Sequence, residues 1–237
     1  MVSNPLLVGS RAVAPRQGEA SSGVSPLQMW LAAGFLVSVP VFAQAPLVRL
    51  LPWASLVLTL GWLGLGVWLW RRSQTAVWGD LIVGFTWSWF AGSIYWGWWR
   101  WEPIIHIPIE ALAVPLAMWC LWRGFGKIGN WFYLGSLLGT AVTDGYFWSI
   151  GLIDAWREVV RVPDPALASP ILQAALVKVQ TPWGLGSAAF LASFLLIVGL
   201  VARQQEELHW HAFSGAVLFT LLVDGLFAAS VAVLGQF

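Results

Sequence analysis

Long apolar runs alternate along this chain with short polar segments, and the runs approach the length that crosses a bilayer. Seven spans follow from this pattern: 27–45, 51–70, 77–98, 104–121, 131–152, 184–202 and 212–236. Only helices and closed barrels satisfy their backbone groups inside lipid, so the pattern predicts an all-α, polytopic helical membrane protein with about seven transmembrane helices. Residues 1–25 mix Gly, Pro, Ser, Arg and Glu without periodicity and predict a flexible tail ahead of a single domain, 26–237. Pro40 marks a kink or an early end to the first span. Leu31 to Val41 followed by Ala43-Gln44-Ala45 has the outline of a cleaved signal. The basic residues Arg11 and Arg16 stand far from that run, however, which favours an uncleaved span. Six spans is the alternative.

The segments between the spans set orientation. With the N-terminus cytoplasmic, one side receives Arg11, Arg16, Arg71, Arg72, Arg123, Lys127 and Arg203. The other receives Arg49 and Arg100, plus Arg157, Arg161 and Lys178 in the longest polar stretch. The excess of basic residues marks the inside, so the expectation is N-in and C-out. The polar stretch 154–170 reads as a loop, and 171–179 is too short to cross. Gly61, Gly64 and Gly66 suit a close helix approach in the second span.

Composition sharpens the class. Of 237 residues, 59% are hydrophobic and 10% charged, too few charges for a surface that meets water on all sides. The net charge of +1, with basic residues scattered, argues against a nucleic-acid partner. Cys120 is the sole cysteine, which excludes an intrachain disulfide and a thiolate cluster. No nucleotide cofactor is expected, since neither GxxxxGK[ST] nor GxSxG occurs. The 19 tryptophans gather mostly where spans meet headgroups.

The stretch WGDLIVGFTWSWFAGSIYWGWWRWEPIIHIPIE, 78–110, carries the densest candidate chemistry. Trp87 and Trp89 fall near the middle of the third span, two positions apart, so one packs inside while the other faces lipid. An interior indole beside an acid suits a conjugated or quinone-like ligand. His106 and Glu110, four apart, share one helix face. Burial favours a neutral Glu110 and makes it a proton donor or relay with His106 as partner. No metal-ligand spacing is present, and His209-Trp210-His211 reads as a solvated helix start.

An internal match adds two acids. GSLLGTAVTDGYF, 135–147, and GAVLFTLLVDGLF, 215–227, share Gly, Leu, Thr, Asp, Gly and Phe at an 80-residue offset. This suggests a parallel two-helix repeat around 131–202 and 212–236. Asp144 and Asp224 lie well inside their spans, where carboxylates are functional candidates. Thr140 and Thr220 stand four residues earlier, able to donate to those acids or to bond back to their own helix.

HIPIEALAVP (106–115) together with GSLLGTAVTDGYF resembles a family of multi-span membrane proteins of cyanobacteria that carries an unknown-function label. The resemblance covers the chain from about residue 27 onward and implies a plasma or thylakoid membrane, without supplying an activity. Pro108-Ile109-Glu110 is similar to part of the Pro-x-Glu-Glu motif of small membrane lycopene cyclases. Ala111 stands where that motif has its second acid, a departure that argues against a carotenoid cyclase.

The resulting expectation is a polar-aromatic cavity holding a hydrophobic small molecule: a pigment, quinone or isoprenoid. Glu110 and His106 would contact or protonate it, with Asp144 and Asp224 as a polar floor. A proton- or cation-coupled transporter using the two aspartates is the second reading. A non-catalytic assembly factor of a membrane protein complex, in contact with the lipid bilayer, is the third.

Overall fold

The computed structural model describes residues 23–162 and 165–234, and every regular element among them is a helix. The expected N-terminal tail lies outside the described residues except for its last three. There Ser25 caps helix α1 (Pro26–Val39): its hydroxyl accepts the Gln28 N–H at 3.2 Å, and the Gln28 side chain accepts the Ser25 N–H at 2.8 Å. This reciprocal box satisfies donors that the first helical turn leaves open. Pro40 neither ends the span nor forces a break. A π-helical turn, Pro40–Gln44, absorbs the missing proline N–H, and α2 (Ala45–Leu50) continues the same rod past the expected end at 45.

Helices α3 (Pro52–Trp70) and α4 (Ala76–Ile94) follow, the latter closing in a second π-helical turn, Tyr95–Trp99. The span expected at 104–121 is broken. It runs as a 3₁₀ turn (Pro103–Ile105), α5 (His106–Glu110), a second 3₁₀ turn (Ala111–Ala113) and α6 (Val114–Trp122). Pro108 and Pro115 lack the N–H groups that would reach back to Ile104 and Ala111, so the ladder tightens locally. Then come α7 (Lys127–Ser149), α8 (Ile153–Val159), α9 (Pro165–Val179), α10 (Pro182–Arg203) and α11 (Leu208–Leu234). Much of the stretch expected as a polar loop at 154–170 is therefore helical.

Among the described residues, five helices are long and apolar enough to cross a membrane: Pro26–Leu50, Pro52–Trp70, Pro103–Trp122, Pro182–Arg203 and Leu208–Ser230. The sequence pattern predicts seven. The other two candidates, α4 and α7, have the length, 19 and 23 residues, but not the apolarity. Asp80 in one and Lys127, Asn130 and Asp144 in the other lower it, as do their Trp, Tyr and Gly residues. Their place explains this. Helix α7 packs on α4, α11 and the broken helix, and α4 packs on α3. Helices sheltered by protein tolerate polar side chains that lipid-facing ones do not.

Named contacts fix the direction of each helix. Gly34 meets Phe219, and Gly215 meets Trp30, so the first rod runs parallel to α11. Gly139 meets Thr220 and Thr143 meets Asp224, so α7 and α11 are also parallel, one residue out of step with the 80-residue offset of the internal match. Helix α3 runs against α4, pairing Gly66 with Gly79 and Ser55 with Ser93. Gly61 and Gly64, expected at a helix contact, face open space.

The central joint lies between α4 and α7. A Cβ on Gly84 would strike the main chain of Gly129, and only glycine permits this approach. It lets the Asp80 carboxylate accept the N–H groups of Ile128 and Gly129, each at 3.0 Å. A neighbouring helix thus supplies the N-terminal cap of α7, with the charge that a helix start favours. The core around the joint is Met29, Ala33, Leu81, Phe85, Trp89, Phe132, Ala212 and Ala216.

Candidate functional site

The break in helix 103–122 turns His106 and Glu110 toward α7, where Asp144 waits 38 residues further along the chain. His106 Nδ1 lies 3.0 Å from Asp144 Oδ2, and Nε2 lies 3.2 Å from Glu110 Oε1. The three side chains are 13%, 15% and 17% exposed for His106, Asp144 and Glu110. Tyr95 stacks its ring on the imidazole at 3.8 Å, and Trp96 meets it edge-on at 6.4 Å. The Tyr133 hydroxyl donates to the Glu110 carbonyl, which the second 3₁₀ turn leaves accessible. The result is an acid–imidazole–acid arrangement with aromatic walls.

A second site lies on another face of α7. A half-open cavity of about 490 Å³ lies between α7, α10 and α11, with α8 and α9 over it. Its lining is almost wholly apolar, from residues such as Phe147, Trp156, Leu176 and Leu191. Asp224 is its one acid, and Thr143 donates to that carboxylate at 2.5 Å. Tyr146 also lines it, with a hydroxyl that is buried and has no hydrogen-bond partner among the described residues. Buried donors are seldom left open in a finished core. A smaller crevice of about 130 Å³ runs beside Glu110, between α4 and the broken helix, and Trp87 lines it.

The cover is tied down at its edge. Trp156 Nε1 donates to the Arg100 carbonyl at 3.0 Å, and Arg157 bridges Glu102 at 2.7 Å and Asp154 at 3.1 Å. The guanidinium against it holds the Glu102 carboxyl below its ordinary range. Lys178 Nζ donates to the Gly151 carbonyl at 2.6 Å.

The residues singled out in the sequence separate into distinct places. Asp144 and Asp224 do not form one floor: Asp144 faces His106, while Asp224 faces the cavity. Thr140 and Thr220 donate back to the Ser136 and Ala216 carbonyls, and Thr143 is the threonine that meets an aspartate. Trp87 is partly exposed at the crevice. Trp89 is buried and lies outside both hollows, with its Nε1–H donated to the Ser55 carbonyl at 2.9 Å. The histidines of 209–211 lie in the first turn of α11, with His209 half-buried. His211 is buried, and His209 stacks on Trp131. Among the described residues, no cluster of three or more His, Cys, Asp or Glu has the arrangement of a metal site.

Sequence reasoning missed a buried polar knot. Gln44 Nε2 donates to the Trp89 carbonyl at 2.6 Å and to Ser93 Oγ at 2.9 Å, and Ser55 and Ser93 share a hydrogen bond of 2.8 Å. Gln44, Ser55 and Ser93 are fully buried. A glutamine inside an apolar run was the available signal.

The family described as "Protein of unknown function (DUF3120)" matches residues 33–232, and the chain belongs to this family. Neither the curated proteins nor the solved structures contain a match.

Proposed function

We propose that this is an integral membrane protein that holds an elongated apolar molecule (an isoprenoid, quinone or pigment) in the cavity between α7, α10 and α11. The observation that carries the reading is the cavity itself. Its volume of about 490 Å³ lies within the range of small-molecule sites, and such sites pair apolar walls with a few placed polar groups. Here those groups are the Asp224–Thr143 pair and the Tyr146 hydroxyl. A ligand hydroxyl would donate to Asp224, and a ligand carbonyl would accept from Tyr146. The cover formed by α8 and α9 would shield the apolar body from water.

The helix directions support seven crossings, with α4 and α7 spanning inside the bundle although they fall short of the apolarity of the other five. Together with the basic residues of the short connections they also support an N-in, C-out orientation, and the parallel packing of α7 on α11 agrees with an internal repeat.

The test is gentle purification from membranes followed by mass spectrometry and absorbance of the bound small molecules. The expected result is one apolar species near stoichiometry. It should be depleted in Gly225→Leu and Ala192→Phe, which fill the cavity, and weakened in Asp224→Asn. Bulk lipid alone, unchanged by all three substitutions, would overturn the reading.

A further inference from the structure

We propose that Glu110, His106 and Asp144 form a proton-relay site, in which the imidazole passes one mobile proton between a carboxyl beside the α4 crevice and a carboxyl on the central helix α7. The proposal does not rest on the cavity or its ligand, since none of the three residues lines that space.

The geometry points there because both ring nitrogens face separate carboxylates. A histidine with only a packing role needs one partner to fix its tautomer. His106 has two, at 3.0 Å and 3.2 Å, drawn from different helices. Among the described residues, the surroundings supply no compensating cation. Tyr95 stacks from the turn after α4, Tyr133 reaches across from α7, and Asp224 of α11 lies within electrostatic reach of Asp144. The nearby arginines are engaged elsewhere: Arg100 donates to the Trp96 carbonyl, and Arg157 pairs with Glu102 and Asp154. Two ionised carboxylates around a neutral ring would leave two like charges in a low-dielectric site. One resident proton halves that charge.

The step balances without another reactant. At the start Glu110 carries the mobile proton, and the neutral ring carries a hydrogen on Nδ1, donated to the Asp144 carboxylate. The Glu110 O–H bond breaks as Nε2–H forms, while Nδ1–H breaks as the Asp144 O–H forms. One proton has moved between the acids, the ring has changed tautomer, and the total charge is unchanged. Nε2 is buried and not aligned for a hydrogen bond, despite its distance from Glu110. Transfer on that side therefore needs a rotation of the Glu110 carboxyl, and the crevice of about 130 Å³ beside it leaves room for one.

The chain has three histidines, so nitrogen-15 spectra of histidine-labelled protein in lipid bilayers isolate His106 once His209→Gln and His211→Gln assign the others by difference. In the wild type both ring tautomers should be populated, in a ratio that stays constant over the pH range in which the site keeps its one mobile proton. Glu110→Gln should hold the ring with its hydrogen on Nδ1, and Asp144→Asn should hold it on Nε2. Infrared spectra of the wild type should show a protonated-carboxyl stretch that shifts in heavy water and is altered in either variant. A single tautomer that neither substitution changes, or a wild type lacking that stretch, would overturn the relay. The wild-type spectra decide even if a variant fails to fold.

Discussion

Gln44 shows how much one polar side chain can organise inside an apolar bundle. Its amide reaches three positions on α3 and α4, Ser55, Trp89 and Ser93, from the π-helical turn that Pro40 opens. Gly92 faces it so closely that a Cβ there would sit 2.6 Å from Gln44 Oε1. Gly92→Ala should therefore destabilise the protein by about 1–3 kcal/mol, the range of overpacked cores. Gln44→Ala should cost a similar amount through lost hydrogen bonds and an empty space. Combined, the two should cost clearly less than their sum, because truncating Gln44 removes the atom that the new methyl strikes. Unfolding followed by tryptophan fluorescence in detergent measures the cycle, and additive losses would show that the two residues do not meet. The candidate acids were readable one by one, since a carboxylate in an apolar run stands out. Their partners were not. His106 and Asp144 come together only because helix 103–122 packs on α7, and a single sequence carries no signal for that pairing. Thr143 was likewise hidden, because its hydroxyl serves an aspartate on another helix rather than one on its own.

At the level of elements, the boundaries of the apolar runs fixed most helices closely, while departures from α geometry escaped notice. Proline announced irregularity at 40, but not whether it would stop, widen or tighten the helix. Packing decides that: the widened turn at Pro40–Gln44 is the one that delivers Gln44 into the knot. Helix α8 is the clearest misreading, since its polar face looked like a loop. It is held over the cavity by Arg157 and Trp156. The Glu102 carboxyl lies below its ordinary range because of Arg157, so the bridge contributes above the ordinary glutamate range and is lost as pH falls through the depressed value. The protection factors of residues 153–159 in hydrogen–deuterium exchange, taken relative to the slower intrinsic exchange in acid, should therefore fall on acidification in the wild type. Arg157→Gln should show the lower protection already at neutral pH, with no further loss on acidification. Equal protection in both proteins at neutral pH would mean that the bridge does not hold α8.

For the whole molecule, charge and helix direction give an argument that neither gives alone. The contacts place the start of α1, the 71–75 turn, the 123–126 turn and the 204–207 turn at one end of the bundle. Among the described residues that end carries Arg71, Arg72, Arg123, Lys127 and Arg203, and the other carries Arg49, Arg100, Arg157, Arg161 and Lys178. A bare count is therefore even. It stops being even once segment length is considered, because three of the second group lie in the long connection that α8 and α9 occupy. Positive residues orient a chain chiefly when they lie in short connections, and there the first end leads by five to two. The sole cysteine makes this testable. In a Cys120→Ala background, Arg161→Cys should react with a membrane-impermeant maleimide in intact cells of a bacterial host. Ser73→Cys and Gln205→Cys should react only after lysis. The opposite pattern would invert the orientation while keeping the fold. Labelling of Ser73→Cys and Gln205→Cys from different sides would contradict the helix directions themselves, because the two turns could not then share one end of the bundle.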